Sequence, residues 1–382
     1  MTPRSDLVVV GGGLMGAATA WAAVRRGLSV LLLEQYDAGH HQGSSHGSAR
    51  IVRRGYEDAL YTRLTGRAFE LWRELEIQSG VPLLRMLGSV DFGTREYAES
   101  VAARLAAAGV GHEVLSGEEA ERRWPGMRFE GPVVHHAQGG TVDAAAAVTA
   151  FTDVARKQGA IVRHNAAVHA LSVGDAGVHV RLTDGDSVLA RQAVVAAGAW
   201  TAPLLGGLVT LPPLTVTQQE TFHFPRLDTS APAWPSVLHE HGPGIYHLAG
   251  GRDGGPGDDR KIGEHYGGRR TTAAARDGVI GADSRARVVE YVERWLPGLR
   301  PQPRAETTCL FTFTPSEDFL IDRTGPLVVC SPCSGHGAKF APLIGELAAG
   351  LVTGGASVPA RFRLAAHHRA DAGPNPHAPG GC

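Results

Sequence analysis

From Asp6 to Glu34 the chain reads DLVVVGGGLMGAATAWAAVRRGLSVLLLE, and this stretch limits the choice of fold more than any other. An apolar run from Leu7 to Val10 predicts a buried strand, the alanine-rich segment after Met15 a helix, and the run ending at Glu34 a second strand. Between the first strand and the helix stand Gly11, Gly13 and Gly16 in G-x-G-x-x-G order. Each spacing has a mechanical reason: Gly11 permits a tight turn, Gly13 lets backbone approach a pyrophosphate, and Gly16 lets helix and strand pack closely. The first helical N–H groups, around Leu14 and Met15, then face the phosphates. Glu34 closes the second strand, where a carboxylate can accept hydrogen bonds from an adenosine ribose. The stretch therefore predicts dinucleotide binding, and by itself leaves NAD and FAD both open.

The rest of the chain lacks the regular βαβ alternation of a simple dehydrogenase domain. A helix is expected over about 56–78, with Leu60, Leu64, Ala68, Leu71 and Leu75 on one stripe. Ser116 and Glu119 have capping-box spacing, and Asp143 is placed to cap a helix ending near Gly159. Strands are expected near Ile161, Val168, Val178 and Val188, and the buried run Ala193 to Trp200 reads as a return to the first sheet. Residues from about Leu214 to Pro303 read as a second, β-rich region with one amphipathic helix, Ser284 to Leu296. At 382 residues the chain exceeds one ordinary core, so two associated domains are expected.

Composition removes several classes of function. A net charge of -1 gives no reason to expect nucleic acid or an acidic membrane surface as partner. Four cysteines, Cys309, Cys330, Cys333 and Cys382, do not make a secreted disulfide framework, and no apolar stretch reaches spanning length, so a cytoplasmic location is expected. Cys330 and Cys333 form C-x-x-C without a second pair, and the doublets His40–His41, His135–His136 and His367–His368 project in different directions on regular structure, so no metal site is expected. The tail after Ala366 has little to bury and is expected to be disordered. Taken locally, Cys309 reads as a small buried hydrophobe, His336 as a loop histidine and Lys339 as a snorkelling lysine.

The Gly11 to Glu34 fingerprint, GSSHGSARIVR at Gly43 to Arg53, RWPG at Arg123 to Gly126, KIGEH at Lys261 to His265, CLFTFTPSEDFLID from Cys309 and SGHGAKF from Ser334 together resemble the monomeric sarcosine oxidase and N-methyltryptophan oxidase family. The resemblance runs through nearly the whole chain. It implies an α/β fold: a Rossmann-like FAD-binding domain interwoven with a mixed-sheet (α+β) substrate domain. The implied ranges are 1–86, 141–212 and 304–365 for the first, and 87–140 and 213–303 for the second, with 366–382 as the tail.

The same resemblance implies a function. The family oxidises secondary amino acids, N-methylated or cyclic, passing a hydride from a C–H beside the amine to flavin and then electrons to O2, with an imine or aldehyde and hydrogen peroxide as products. Its FAD is bound covalently by a cysteine that matches Cys309. Arg53 and Lys339 match a carboxylate-binding pair, a task suited to the arginine fork, and Tyr246 and His247 fall where side chains line the substrate pocket. Lys261 matches an oxygen-activating lysine, a fixed positive charge that favours superoxide formation, and His265 a histidine near the substrate. His46 and Arg50 match residues packed around the flavin, with Ser44, Val168, Gly198, Trp200 and the Gly335–His336–Gly337 loop as further cofactor contacts. A small amino acid and O2 are thus the expected partners of a monomer.

This sequence also departs from the pattern. His247 replaces a tyrosine, Pro332 and Cys333 replace a glycine–aromatic pair, and the stretch Gly250 to Asp259 is longer than the family's turn. These departures leave open the identity of the amine, and with it a dehydrogenase, an imino acid oxidase of a specialised natural-product pathway, or a flavin protein that has lost catalysis.

Overall fold

The computed structural model describes residues 5–355 and 357–369. Its first sheet is built on the opening fingerprint. The Ser5–Val10 strand lies between Val30–Leu33 and Ser187–Val195, parallel to both, with Val10 opposite Leu33 on one side and Val195 on the other. Ile161–Arg163 extends the parallel set beyond Val30–Leu33, and Leu327–Ser331 joins it beside Ser187–Val195. Near-continuous Val and Leu runs suit strands covered on both faces. Helices Leu14–Val24, Ala59–Ser79, Ala144–Lys157 and Ala341–Thr353 contribute Trp21, Trp72, Phe151 and Ile344 to the core on one face.

The second sheet has nine strands, and Thr215–Phe224 lies next to one end of it. That strand pairs antiparallel with Arg260–Glu264 and, from Thr215 opposite Phe313 to His223 opposite Ala305, with Ala305–Phe313. Ser89–Phe92 lies parallel to Ser236–His239, so chain from 87–140 completes the sheet begun by 213–303. Helix Ala282–Trp295 packs Val288, Val292 and Trp295 on Phe222, Val237 and Ile262 of this sheet's far face. The expected helix at 284–296 is therefore present, two residues early.

Two boundaries differ from the sequence reading. The range 304–365, assigned to the first domain, opens with Ala305–Phe313, whose whole length is hydrogen-bonded into the second sheet. Backbone pairing decided this, and a local pattern carries no record of a strand's partner. The tail assigned to 366–382 begins inside helix Leu364–Arg369, where His367 is buried and its Nε2 lies 3.1 Å from the Phe319 carbonyl. Residues 370–382 lie outside the described residues. The capping box is formed, Glu119 N–H donating to Ser116 Oγ and Ser116 N–H to Glu119 Oε2, and Asp143 accepts from Ala146 N–H. No helix among the described residues is long and apolar enough to cross a membrane.

Candidate active site

A cavity of about 640 Å³ runs between the two sheets. At one end the fingerprint forms its wall. Gly11 has φ +101°, and a Cβ there would stand 2.5 Å from the Ala196 carbonyl oxygen. At Gly16 a Cβ would stand 1.8 Å from the Gly11 oxygen, so only glycine allows this strand–helix approach. Gly13 precedes helix Leu14–Val24 with no side-chain cap of its own; Leu14 N–H is met from across the cavity by Ser45 Oγ at 2.9 Å. Glu34 is buried and accepts from Gly12 N–H at 2.7 Å and Tyr36 N–H at 3.0 Å. Burial works against its charge, but His40 and these two N–H groups outweigh it and hold the carboxyl below its ordinary range. Val168, Gly198 and Trp200 line the same end.

The cavity then passes under the second sheet. Cys309 is buried on Ala305–Phe313, opposite Gln219, and reaches the cavity wall. Ser44 hydroxyl donates to the neighbouring Leu310 carbonyl, tying the Gly43–Arg53 segment to this strand. Arg50 binds its own loop, donating to the carbonyls of Ser44 at 3.1 Å, His46 at 2.6 Å and Ala49 at 2.8 Å. His46 stacks on His41 with ring centroids 5.0 Å apart. Burial, then Arg50, pushes the His46 pKa down to about 3, so the ring is neutral, and its Nε2 has no hydrogen-bond partner among the described residues. Lys261 crosses from the second sheet, its Nζ 3.4 Å from the Ala49 carbonyl. Burial and Arg50 lower its pKa to about 7.

At the far end Arg53 and Lys339 both lie over the Tyr56 ring. Arg53 is buried, donates to Asp91 Oδ1 at 3.1 Å and lies 4.3 Å over the Tyr56 ring. Burial disfavours its charge, but Asp91, Tyr97 and Tyr56 more than offset that, and the guanidinium stays charged. Lys339 donates to Tyr56 Oη at 2.9 Å and the His336 carbonyl at 2.8 Å. Burial, then Arg53, draws its pKa well below the usual lysine range. Gly335 has φ +72°, where a Cβ would meet His265 Cε1 at 2.4 Å, and Gly337 clears the Pro332 carbonyl. His336, deprived of charge by burial and Lys339, stacks on Phe319 at 4.8 Å. Tyr246, His265 and Phe311 line this end, and Pro332 and Cys333 adjoin it.

His247 does not. It is buried on the other face of its strand, where its Nδ1 accepts from Arg260 Nε at 2.8 Å, while Arg260 also donates to the carbonyls of Trp234, Pro235 and His247. Tyr246 and His247 are successive strand residues, so one must turn its back on the cavity. Asp91, Tyr97 and Tyr56 were missed. Asp91 is the one charged residue of a fully buried four-residue strand, and a buried carboxylate implies a cation; nothing local names Arg53 as that cation.

The residues present fit an FAD: a glycine cradle at a helix N-terminus at one end, a carboxylate for the ribose, and an elongated cavity reaching buried cations. Comparison with known proteins agrees. A family model described as FAD dependent oxidoreductase matches residues 6–351. Human peroxisomal sarcosine oxidase is 31% identical over 90% of this chain and 90% of its own. N-methyl-L-tryptophan oxidase of Yersinia pestis is 30% identical over 90% of this chain and 94% of its own. Among solved structures, NikD, described as an unusual amino acid oxidase essential for nikkomycin biosynthesis, superimposes with a TM-score of 0.84 at 27% identity, covering 95% of this chain and 98% of NikD.

Proposed function

The chain belongs to the FAD dependent oxidoreductase family, among its sarcosine oxidase and N-methyltryptophan oxidase relatives, and from that premise we propose that it is an FAD-dependent oxidase of a secondary amino acid. The observation that carries this reading is a single cavity in which the glycine cradle, Cys309, Lys261 and the Arg53–Lys339 pair follow one another. FAD, when bound, supplies a hydride acceptor for the C–H beside the amine and is reoxidised by O2, so the products are an imine, or the aldehyde from its hydrolysis, and hydrogen peroxide.

The chain's own residues do the rest. Arg53, held over the Tyr56 ring and fixed by Asp91, offers its remaining donors to the substrate carboxylate. Lys339, whose pKa burial and Arg53 draw well below the usual lysine range, pairs with the same carboxylate, since an opposite charge favours its charged form. Tyr246, His265 and Phe311 enclose the amine end and exclude water. Lys261 presents positive charge where oxygen is reduced. Cys309, whose strand is tied through Leu310 to the Ser44 loop, would be the residue that holds the FAD covalently, as a thioether.

The test is anaerobic. The yellow holoenzyme is mixed separately with sarcosine, L-proline, L-pipecolate and N-methyltryptophan, and air is then admitted. Bleaching by one of them, with prompt recovery and peroxide on aeration, is the expected result; bleaching with sluggish recovery would make the protein a dehydrogenase. Acid precipitation should leave the yellow colour with the protein and release it from Cys309→Ala.

A further inference from the structure

The glycine-rich stretch Gly250 to Asp259 joins Ile245–Ala249 to Arg260–Glu264. Its short helical turn, Gly251–Gly254, lies against the Gly47–Arg50 segment. Asp253 Oδ2 accepts from Ser48 N–H at 2.6 Å, and Asp253 N–H donates to Ser48 Oγ at 2.9 Å. Ser48 Oγ is also 3.2 Å from the Gly250 carbonyl. The contact is close: a Cβ on Gly47 would stand 3.1 Å from Asp253 Oδ2, and one on Gly251 would stand 2.9 Å from the Ser48 oxygen. Arg252 reaches past this clamp to Asp143 at 2.8 Å, at the cap of helix Ala144–Lys157. Asp258 and Asp259 are each matched by an arginine, Arg85 at 2.8 Å and Arg304 at 3.2 Å. Among the described residues, Asp253 is the acid of this loop with no arginine or lysine within ion-pair distance.

We propose that Asp253 is a positioning residue for the oxygen half-reaction: it clamps the Ser48–Arg50 segment whose Ala49 carbonyl receives Lys261, and supplies the negative charge that keeps Lys261 an ammonium. The proposal rests on the reading of Lys261 as the oxygen-side cation. The groups that act on Lys261 are Arg50 and His46 from the clamped segment, His223 from the adjoining strand, Cys309 from Ala305–Phe313, and Asp253. Arg50 opposes the ammonium, and His46 and His223 are neutral, both lowered by burial. Cys309 and Asp253 favour it. A cysteine committed to a thioether has no thiolate to offer, which leaves Asp253. Burial works against the charge of Asp253, but the hydrogen bonds from Ser48 outweigh it, and the carboxyl stays ionised. The clamp thus fixes the anion as well as the loop.

The first measurement needs no turnover. The oxidised holoenzyme is titrated from acid to alkaline pH without substrate, and the flavin absorbance is followed. A transition near pH 7 is expected in the wild type and should be absent from Lys261→Met. Asp253→Asn should move its midpoint down by about one unit, the usual effect of removing one nearby charge, while Asp253→Glu stays close to the wild type. Asp253→Ser, which keeps an oxygen for Ser48, provides the same downward shift should the asparagine variant fold poorly. Reoxidation of dithionite-reduced enzyme by O2 should then be about fivefold slower in Asp253→Asn at neutral pH and equal to the wild type at acid pH. A midpoint unmoved by Asn or Ser, or a rate lowered equally at every pH, overturns the role of Asp253 while leaving Lys261 in place. A Lys261→Met enzyme that keeps the transition and reoxidises rapidly overturns the reading beneath it.

Discussion

Lys261 and Lys339 are both buried lysines on the wall of one cavity, yet their surroundings differ. Lys339 is held by two short hydrogen bonds, to Tyr56 and the His336 carbonyl, beside Arg53 and near Asp91. Lys261 has one long contact, to Ala49, and a shell of charges that do not touch it. A group that must receive a carboxylate needs a fixed position, because bidentate or paired recognition is geometric. A group that must stabilise charge developing on a small diffusing molecule needs potential more than aim. On the proposed reading, two positions of one residue type, both buried, are fitted to different tasks.

That contrast can be broken in order of expected effect. Lys261→Met should slow reoxidation by roughly 10²–10³-fold while leaving anaerobic flavin reduction within a few-fold; stopped-flow runs on each half-reaction separate the two, and equal slowing of both would collapse the distinction. In the wild type the reoxidation rate should fall as pH rises through about 7, because a lysine with a lowered pKa is charged below that value and neutral above it. Arg53→Ala should act at the other end, raising the substrate concentration for half-reduction by roughly 10–100-fold, the worth of a charged hydrogen-bonded contact, with reoxidation of dithionite-reduced enzyme unchanged. Saturation at the wild-type concentration would remove Arg53 from the carboxylate site. The smallest functional effect belongs to His247→Leu. It leaves the buried Arg260 Nε without its acceptor and should cost about 1–3 kcal/mol of stability, seen as a lower melting temperature, with no change in KM.

Cys309 and His247 were both read from their place in a motif, and the structure puts only the first on the cavity wall. The cysteine was legible because its place within CLFTFTPSEDFLID, and the order of that block after KIGEH and before SGHGAKF, carried a resemblance along the whole chain. His247 was misread because alignment by neighbourhood placed it beside Tyr246, and strand alternation sends the two to opposite faces. Asp91 was invisible for another reason: it meets Arg53 through a strand that joins the second sheet only after residues 236–239 arrive.

The sequence by itself determined the dinucleotide cradle, since strand, glycines, helix and Glu34 are neighbours in the chain and their roles follow from local sterics and spacing. It also singled out the Gly43–Arg53, Lys261–His265 and Ser334–Phe340 blocks, which contribute to the cavity wall. Only the tertiary structure decided that Ala305–Phe313 belongs to the second sheet, that Arg53 is fixed by Asp91, and that a glycine-rich loop brings Asp253 to Ser48. Those are pairings between residues far apart in the chain. Burial sets their strength, and burial is a property of the packed molecule, not of any one segment.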